Sequence, residues 1–304
     1  MKYIITGAAG HVAAPLVQEL LHKNQSVAVI GRSAEHLKGL QNAGATMKIG
    51  SVEDRDFLIS AFAEADAAFL MYPPNNLSKD IKAFTENIAH NYKAAIEANH
   101  IQFAVTLSSI GAHLSSGAGP VSGLHRAEQI LNECKGLHVL HLRPVYYYSN
   151  LLNQINLINL MGIMGGNFEL SRFGIADPVE VGRKAARELL NLKFQGASYQ
   201  YYASDEVSTS EIADEIGKAL GKPGLRWVRF SNQQFKDALL HGGMSEELAA
   251  AMVEMFEAFD KGSMTTDYFK IGPVEWGTTK MPDFAKQFSQ IYFQQTASSQ
   301  VQTH

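Results

Sequence analysis

Eight residues near the start of the chain carry the strongest chemical signal: Thr6-Gly7-Ala8-Ala9-Gly10-His11-Val12-Ala13. A short apolar run at residues 3–6 leads into them, and an amphipathic stretch at 11–21 follows. Gly7 permits a tight turn from strand to helix. Gly10 lets the backbone approach a pyrophosphate with no Cβ in the way, and Ala13 is small enough for helix and strand to pack closely. The unpaired N–H groups and the dipole at such a helix start favour phosphate oxygens. Thr6, Gly7, Ala9, Gly10, His11 and Val12 are therefore the expected contacts of a dinucleotide. A glycine pair alone is weak evidence; its place between a strand and a helix gives it weight over a glycine-rich turn that binds nothing.

The second apolar run, residues 26–30, ends in Gly31-Arg32-Ser33. An NAD site usually carries an acid here to hold the ribose 2′-hydroxyl, and this chain has none. Arg32 can pair with a 2′-phosphate and stack on adenine, while Ser33 can donate a hydrogen bond. These residues favour NADP (NADPH) over NAD. The competing reading is a surface arginine beside a serine that caps the next helix. Both can hold at once.

The elements that must position these groups alternate. Strand-like runs at 3–6, 26–30, 46–49, 67–71, 103–107 and 138–142 are separated by amphipathic stretches at 11–21, 34–41, 54–62, 78–98 and 121–131. Strand and helix in turn mean βαβ units and a parallel sheet. Near-continuous apolar strands mean a sheet covered on both faces. The fold class expected is α/β: a doubly wound parallel Rossmann sheet with a smaller C-terminal α/β part that binds substrate. The division expected is 1–150 for the dinucleotide-binding domain, completed by about 175–203. Residues 151–174 and 204–295 then form the smaller part, and 296–304 a disordered tail. Within the smaller part, Ser208-Thr209-Ser210-Glu211 reads as a capping box, and Gly221 with Pro223 as the stop of the helix it starts.

Composition narrows the function. The 304 residues are 46% apolar and 18% charged, enough for a sizeable core. A formal charge of −4 gives no field that would draw in nucleic acid. One cysteine, Cys134, excludes an intramolecular disulfide and any multi-cysteine metal site. None of the eleven histidines falls in a His-Glu-x-x-His spacing, so no metal is expected. The first apolar run is too short for a signal peptide. The longest later one, 150–166, is broken by Asn153, Gln154, Asn156, Asn159 and Gly162. A soluble, cytoplasmic protein with no membrane partner is expected.

Further segments, in this order, resemble the NmrA-like branch of the atypical, extended short-chain dehydrogenase/reductase superfamily. They are Gly50-Ser51-Val52-Glu53-Asp54, Met71-Tyr72-Pro73-Pro74, Leu107-Ser108-Ser109-Ile110-Gly111-Ala112, the His125-x-x-Glu128 helix, and Leu142-Arg143-Pro144 with Asn150 after it. The resemblance covers roughly residues 1–240. It implies that Met71, Tyr72, Pro73, Ser108, Ser109 and Pro144 pass close to the cofactor. It also places His125 beside the nicotinamide, where it can donate a hydrogen bond or merely hold a loop carbonyl. Tyr72 can stack on an aromatic substrate or pack the core. Tyr72 and His125 are the candidate catalytic residues.

One departure matters. The superfamily's Tyr-x-x-x-Lys dyad is absent; the region where it belongs runs from Ser115 to His125. Alcohol–ketone chemistry loses its acid without it. Hydride transfer to a quinone or dye needs less, because the acceptor is itself the electron sink. Two readings follow: an NADPH-dependent reductase of flat conjugated acceptors, or a dinucleotide-binding redox sensor that regulates a protein partner. A sugar-nucleotide dehydratase or epimerase ranks last. The partners expected are a small-molecule acceptor and, in a homodimer, a second copy of the chain.

Overall fold

The computed structural model describes residues 1–75 and 78–301. Six strands and five helices alternate as the periodicity predicts: β1 (Lys2–Thr6), α1 (Ala13–His22), β2 (Ser26–Gly31), α2 (Ala34–Asn42), β3 (Thr46–Ile49), α3 (Arg55–Ala61), β4 (Ala67–Leu70), α4 (Ile81–Asn99), β5 (Phe103–Leu107), α5 (Val121–Asn132) and β6 (His138–Pro144). Beyond them lie β7 (Tyr146–Tyr147), a 3₁₀ turn at Tyr148–Gln154, α6 (Ile155–Met161), β8 (Met164–Gly166), β9 (Phe173–Ala176), α7 (Pro178–Asn191), β10 (Ala197–Ala203) and β11 (Asp205–Val207). The chain continues through α8 (Thr209–Leu220), β12 (Trp227–Arg229), α9 (Asn232–His241), α10 (Glu246–Asp260), α11 (Thr266–Ile271), β13 (Pro273–Trp276) and α12 (Met281–Val301).

Eight strands form one parallel sheet in the order β13-β10-β6-β5-β4-β1-β2-β3. Apolar side chains alternate to its two faces. One set, including Tyr3, Ile5, Val29 and Phe69, packs under α1 and α7; the other, including Ile4, Ile30, Ala68 and Leu70, packs under α3 and α4. Both faces are covered, which is why these strands read as continuous apolar runs. A third core holds the smaller part together, where Phe168, Phe173, Phe256 and Phe259 close around Tyr146.

Capping explains several boundaries. Asp54 Oδ1 accepts the Phe57 N–H at 3.0 Å and starts α3. At α8, Ser208 Oγ accepts the Glu211 N–H at 3.1 Å, and Glu211 Oε2 accepts the Ser208 N–H at 2.7 Å. That is the reciprocal pairing read from the sequence, and a left-handed Gly221 ends the helix.

Two segments depart from the expected division. Residues 273–276 fall in the range given to the smaller part, yet they extend the main sheet as its edge strand β13. The Gly277 N–H bonds to the Ala203 carbonyl at 2.8 Å, and the buried Glu180 carboxylate accepts both N–H groups of Thr278 and Thr279. These bonds pin the strand from behind. The expected tail also differs: α12 continues to Val301, and the Thr296 hydroxyl donates to the Tyr292 carbonyl at 2.9 Å inside it. Residues 302–304 of that tail lie outside the described residues. Among the described residues no helix is long and apolar enough to cross a membrane.

Candidate functional site

In a doubly wound sheet the strand order reverses at one point, and ligands bind in the crevice at the carboxyl ends of the strands there. Here the reversal lies between β1 and β4. A cavity of about 640 Å³ opens at that point. The turn after β1 gives it Gly7, Ala8, Ala9 and Gly10; the end of β2 and the start of α2 give Arg32, Ser33 and His36. The loop after β3 adds residues 50–53, and the segment after β4 adds Met71, Pro73, Pro74 and Asn75.

The turn is built for close approach. Gly7 has φ +62°, and a Cβ there would also collide with the Met71 side chain. The Gly10 N–H donates to the Gly7 carbonyl at 2.9 Å, and Gly10 accepts the Ala14 N–H at 2.9 Å. No side chain caps α1 and its first turn holds no acid. Its free N–H groups and dipole are therefore available to an anion. His11 is exposed and Val12 is buried, and neither lines the cavity. Thr6 stands apart from this group. Its hydroxyl is fully buried, donates to the Phe69 carbonyl at 3.2 Å and accepts the Met71 N–H at 2.8 Å. Thr6 ties β1 to β4 beneath the turn and presents no side-chain atom to a ligand.

At the far end of the cavity Arg32 is exposed, with no hydrogen bond or ion pair among the described residues. Ser33 Oγ accepts the His36 N–H at 3.5 Å, so Ser33 caps α2 and lines the cavity together. Ser51 lines the cavity from the loop after β3. Its Oγ accepts the Glu53 N–H at 3.2 Å. His36, Val52 and Phe84 line the cavity without having been singled out. For His36 the signal was in the sequence: it lies one helical turn beyond Arg32 and Ser33, hence on the same side of the strand end.

The end of β4 shows strand-like alternation. Met71 and Pro73 face the cavity, while Tyr72 points the other way, against Ala89, Ala127 and Ile130. The Tyr72 hydroxyl is buried without a partner, and its ring meets Tyr92 edge-on. Burial, with Tyr92 and Glu128 nearby, holds this phenol well above the ordinary tyrosine range. The catalytic assignment of Tyr72 thus meets a side chain directed into the core.

His125 is tied at both nitrogens. Nδ1 lies 2.8 Å from the Ala112 carbonyl, so it donates, and Nε2 then accepts from the Gln129 amide at 2.9 Å. This geometry matches the loop-holding alternative. Ser108 also turns away from the cavity. It is buried, and its hydroxyl donates to Glu128 Oε1 at 2.5 Å. That carboxylate accepts two bonds from Arg143, at 2.9 and 2.5 Å, within a buried fork-to-fork pair. The conspicuous Glu128 and Arg143 therefore clamp α5 to β6. Ser109 is half-buried at the β5 end, its hydroxyl without a hydrogen bond among the described residues. Pro144 is buried, and its carbonyl accepts the Ile110 N–H at 2.9 Å.

The family described as NAD(P)H-binding matches residues 7–158, half of the chain, from the glycine turn into α6. An NAD(P)H azoreductase of Xenophilus azovorans is 22% identical over 255 residues, 83% of this chain and 85% of its own. An uncharacterised Schizosaccharomyces pombe protein is 38% identical over 66 residues, and that match spans 22% of each chain. Among solved structures, an NADPH-dependent quinone oxidoreductase from Escherichia coli, complexed with NADPH, superposes with a TM-score of 0.73 at 19% identity, covering 94% of this chain and 99% of its own. The triphenylmethane reductase of a Citrobacter species, complexed with NADP(H), gives 0.77 at 16% identity, covering 95% and 100%. These structures share the fold. With the glycine turn and the cavity at the strand reversal, the family match establishes that this chain belongs to the NAD(P)H-binding family.

Proposed function

We propose that the chain is an NADPH-dependent reductase that passes hydride to a quinone or another flat, conjugated acceptor. One observation carries the reading: an unpaired Arg32 and a capping Ser33, with no acid, stand at the end of β2 on the same cavity as the glycine turn. Arg32 is suited to a 2′-phosphate by charge and planar donors. The free N–H groups of the turn and of α1 suit the pyrophosphate. Met71 and Pro73 wall the passage past β4, and the unbonded Ser109 hydroxyl stands at the end of β5. When bound, NADPH supplies the hydride.

What the chain withholds points to the acceptor class. The tyrosine–lysine pair is missing, the Tyr72 hydroxyl is directed into the core, and both His125 nitrogens are engaged. Neither Tyr72 nor His125 thus offers a free side-chain acid at the β5 end, and an acceptor that takes hydride without one fits best. The printed names of the azoreductase, quinone oxidoreductase and triphenylmethane reductase relatives lend support to such acceptors. Tyr72 and His125 then act by position: Tyr72 packs the wall behind Met71, and His125 holds the loop after β5.

A regulatory reading has one observation in its favour. Phe269 and Ile271 of α11 and Val274 and Trp276 of the sheet edge are exposed apolar side chains, and a cluster of such groups is the kind of surface that serves protein partners. The test is turnover. NADPH is incubated with the protein and a panel of quinones, azo and triphenylmethane dyes, aldehydes and ketones, and loss of the reduced-nicotinamide absorbance is followed. Reduction of quinones or dyes with carbonyls left unreacted is expected. Arg32→Asp should weaken NADPH at least about tenfold, or roughly 1.4 kcal/mol, and spare NADH. Tight NADPH binding with no acceptor consumed would favour the regulator.

A further inference from the structure

His36 lines the cavity beside Arg32 and Ser33 and takes no part in any side-chain hydrogen bond or ion pair among the described residues. Its place is fixed by its backbone, which donates to Ser33 Oγ in the first turn of α2. We infer that His36 is a second, proton-dependent reader of the cofactor's 2′-phosphate, so that preference for NADPH over NADH strengthens as pH falls through the neutral range. The inference rests on the NADPH reading above and adds to it a linkage between cofactor choice and pH.

The physical basis is a difference in how two cations behave. Arg32 is charged throughout the accessible pH range and contributes an attraction that does not change with pH. Histidine is the side chain that gains its charge across the neutral range, and a neighbouring phosphate dianion favours the charged form. A phosphomonoester keeps its second charge above about pH 6. Between about pH 6.5 and 8.5 the ligand therefore stays largely dianionic.

The other ionisable groups on this wall are Arg32 and Glu53. Glu53 belongs to the loop after β3, and its carboxylate lies 3.5 Å from Ser51 Oγ. A carboxylate there favours a protonated imidazole. On α2 itself Glu35 and Lys38 are exposed and off the cavity wall, as is Lys48 on β3; α1 adds no ionisable group to the wall. NADH lacks the phosphate and offers His36 only an adenosine to touch, so its affinity has no such dependence.

The test is calorimetric titration of NADPH and of NADH into the wild-type protein, His36→Gln and His36→Lys between pH 6.5 and 8.5. For the wild type, the NADPH dissociation constant should rise roughly three- to tenfold from the acid to the alkaline end, within the limit of one linked proton. NADH should stay flat. His36→Gln should bind NADPH with the weak alkaline affinity at every pH, and His36→Lys with the tight affinity at every pH. A wild-type slope retained in His36→Gln would overturn the inference, as would equal losses for the two cofactors in that variant. Failure of the wild type to bind NADPH at all, or to prefer it at any pH, would instead overturn the cofactor reading on which the inference stands.

Discussion

His141 is buried between β5 and the end of α5. Its Nε2–H donates to Asn132 Oδ1 at 2.8 Å, and its Nδ1 accepts from the Thr106 hydroxyl at 2.8 Å. Neither partner gains from a charged ring, and burial brings its pKa down to about 4. The unfolded chain binds this proton near pH 6.5 and the native state near pH 4. The stability involved is therefore fully present above about pH 6.5 and is lost as pH falls toward 4. The loss is on the order of 3 kcal/mol for a shift of this size. Urea unfolding at pH 7, 5.5 and 4.5 should show it in the wild type, and His141→Gln should lose much less over the same range. Equal losses would assign the acid sensitivity elsewhere. The residue scale is also where sequence reasoning left roles open. Ser108, His125 and Tyr72 stand at strand or helix ends that face a cofactor in proteins of this kind. Their own partners, Glu128, the Ala112 carbonyl and the core against Ala127, come from segments distant in sequence. A strand end tells which residues are near the site; only the partner tells which way each side chain turns.

Elements were far more legible, for a physical reason. Strands covered on both faces must be apolar throughout, and their helices must carry one apolar stripe, so the first six strands and five helices are written in period and composition. The later elements break those conditions. Helix α9 has no fully buried residue and hence no stripe; its trace was the capping pair Ser231 and Gln234. Strand β13 is an edge, with Val274 64% and Trp276 50% exposed. At the glycine turn, two substitutions separate ligand from fold. A Cβ on Gly10 would lie 3.2 Å from the Gly7 carbonyl oxygen and touch nothing else nearby. Gly10→Val should thus fold, with a melting temperature close to wild type, and lose dinucleotide binding by calorimetry. Gly182 of α7 differs, since a Cβ there would run into the Val12 carbonyl at the start of α1. Gly182→Ala should force α7 off α1 and cost about 1–3 kcal/mol of stability, weakening the cofactor through the displaced helix start. Normal NADPH binding by a folded Gly10→Val protein would remove the turn from the site.

At the scale of the whole molecule the smaller part leans over the carboxyl edge of the sheet. His113, after β5, faces the Ser263 carbonyl at 3.2 Å, and Lys82 at the start of α4 faces Glu254 of α10 at 3.7 Å. A Cβ on Gly119 would collide with the Ala251 carbonyl of α10, so that helix rests on the loop before α5. This arrangement brings the smaller part against the segments that follow β4 and β5, where a hydride acceptor must lie if the dinucleotide follows the crevice from Arg32 past Gly10. A cofactor held in this way presents one face of its nicotinamide. The most direct test is single-turnover oxidation of NADPH carrying deuterium on one or the other face of the nicotinamide C4, with a quinone or dye as acceptor. Direct transfer from a bound cofactor predicts that deuterium slows the reaction and leaves the ring from one face only, with no turnover when the protein is omitted. Loss of deuterium from both faces alike, or oxidation at the rate seen without protein, would contradict it.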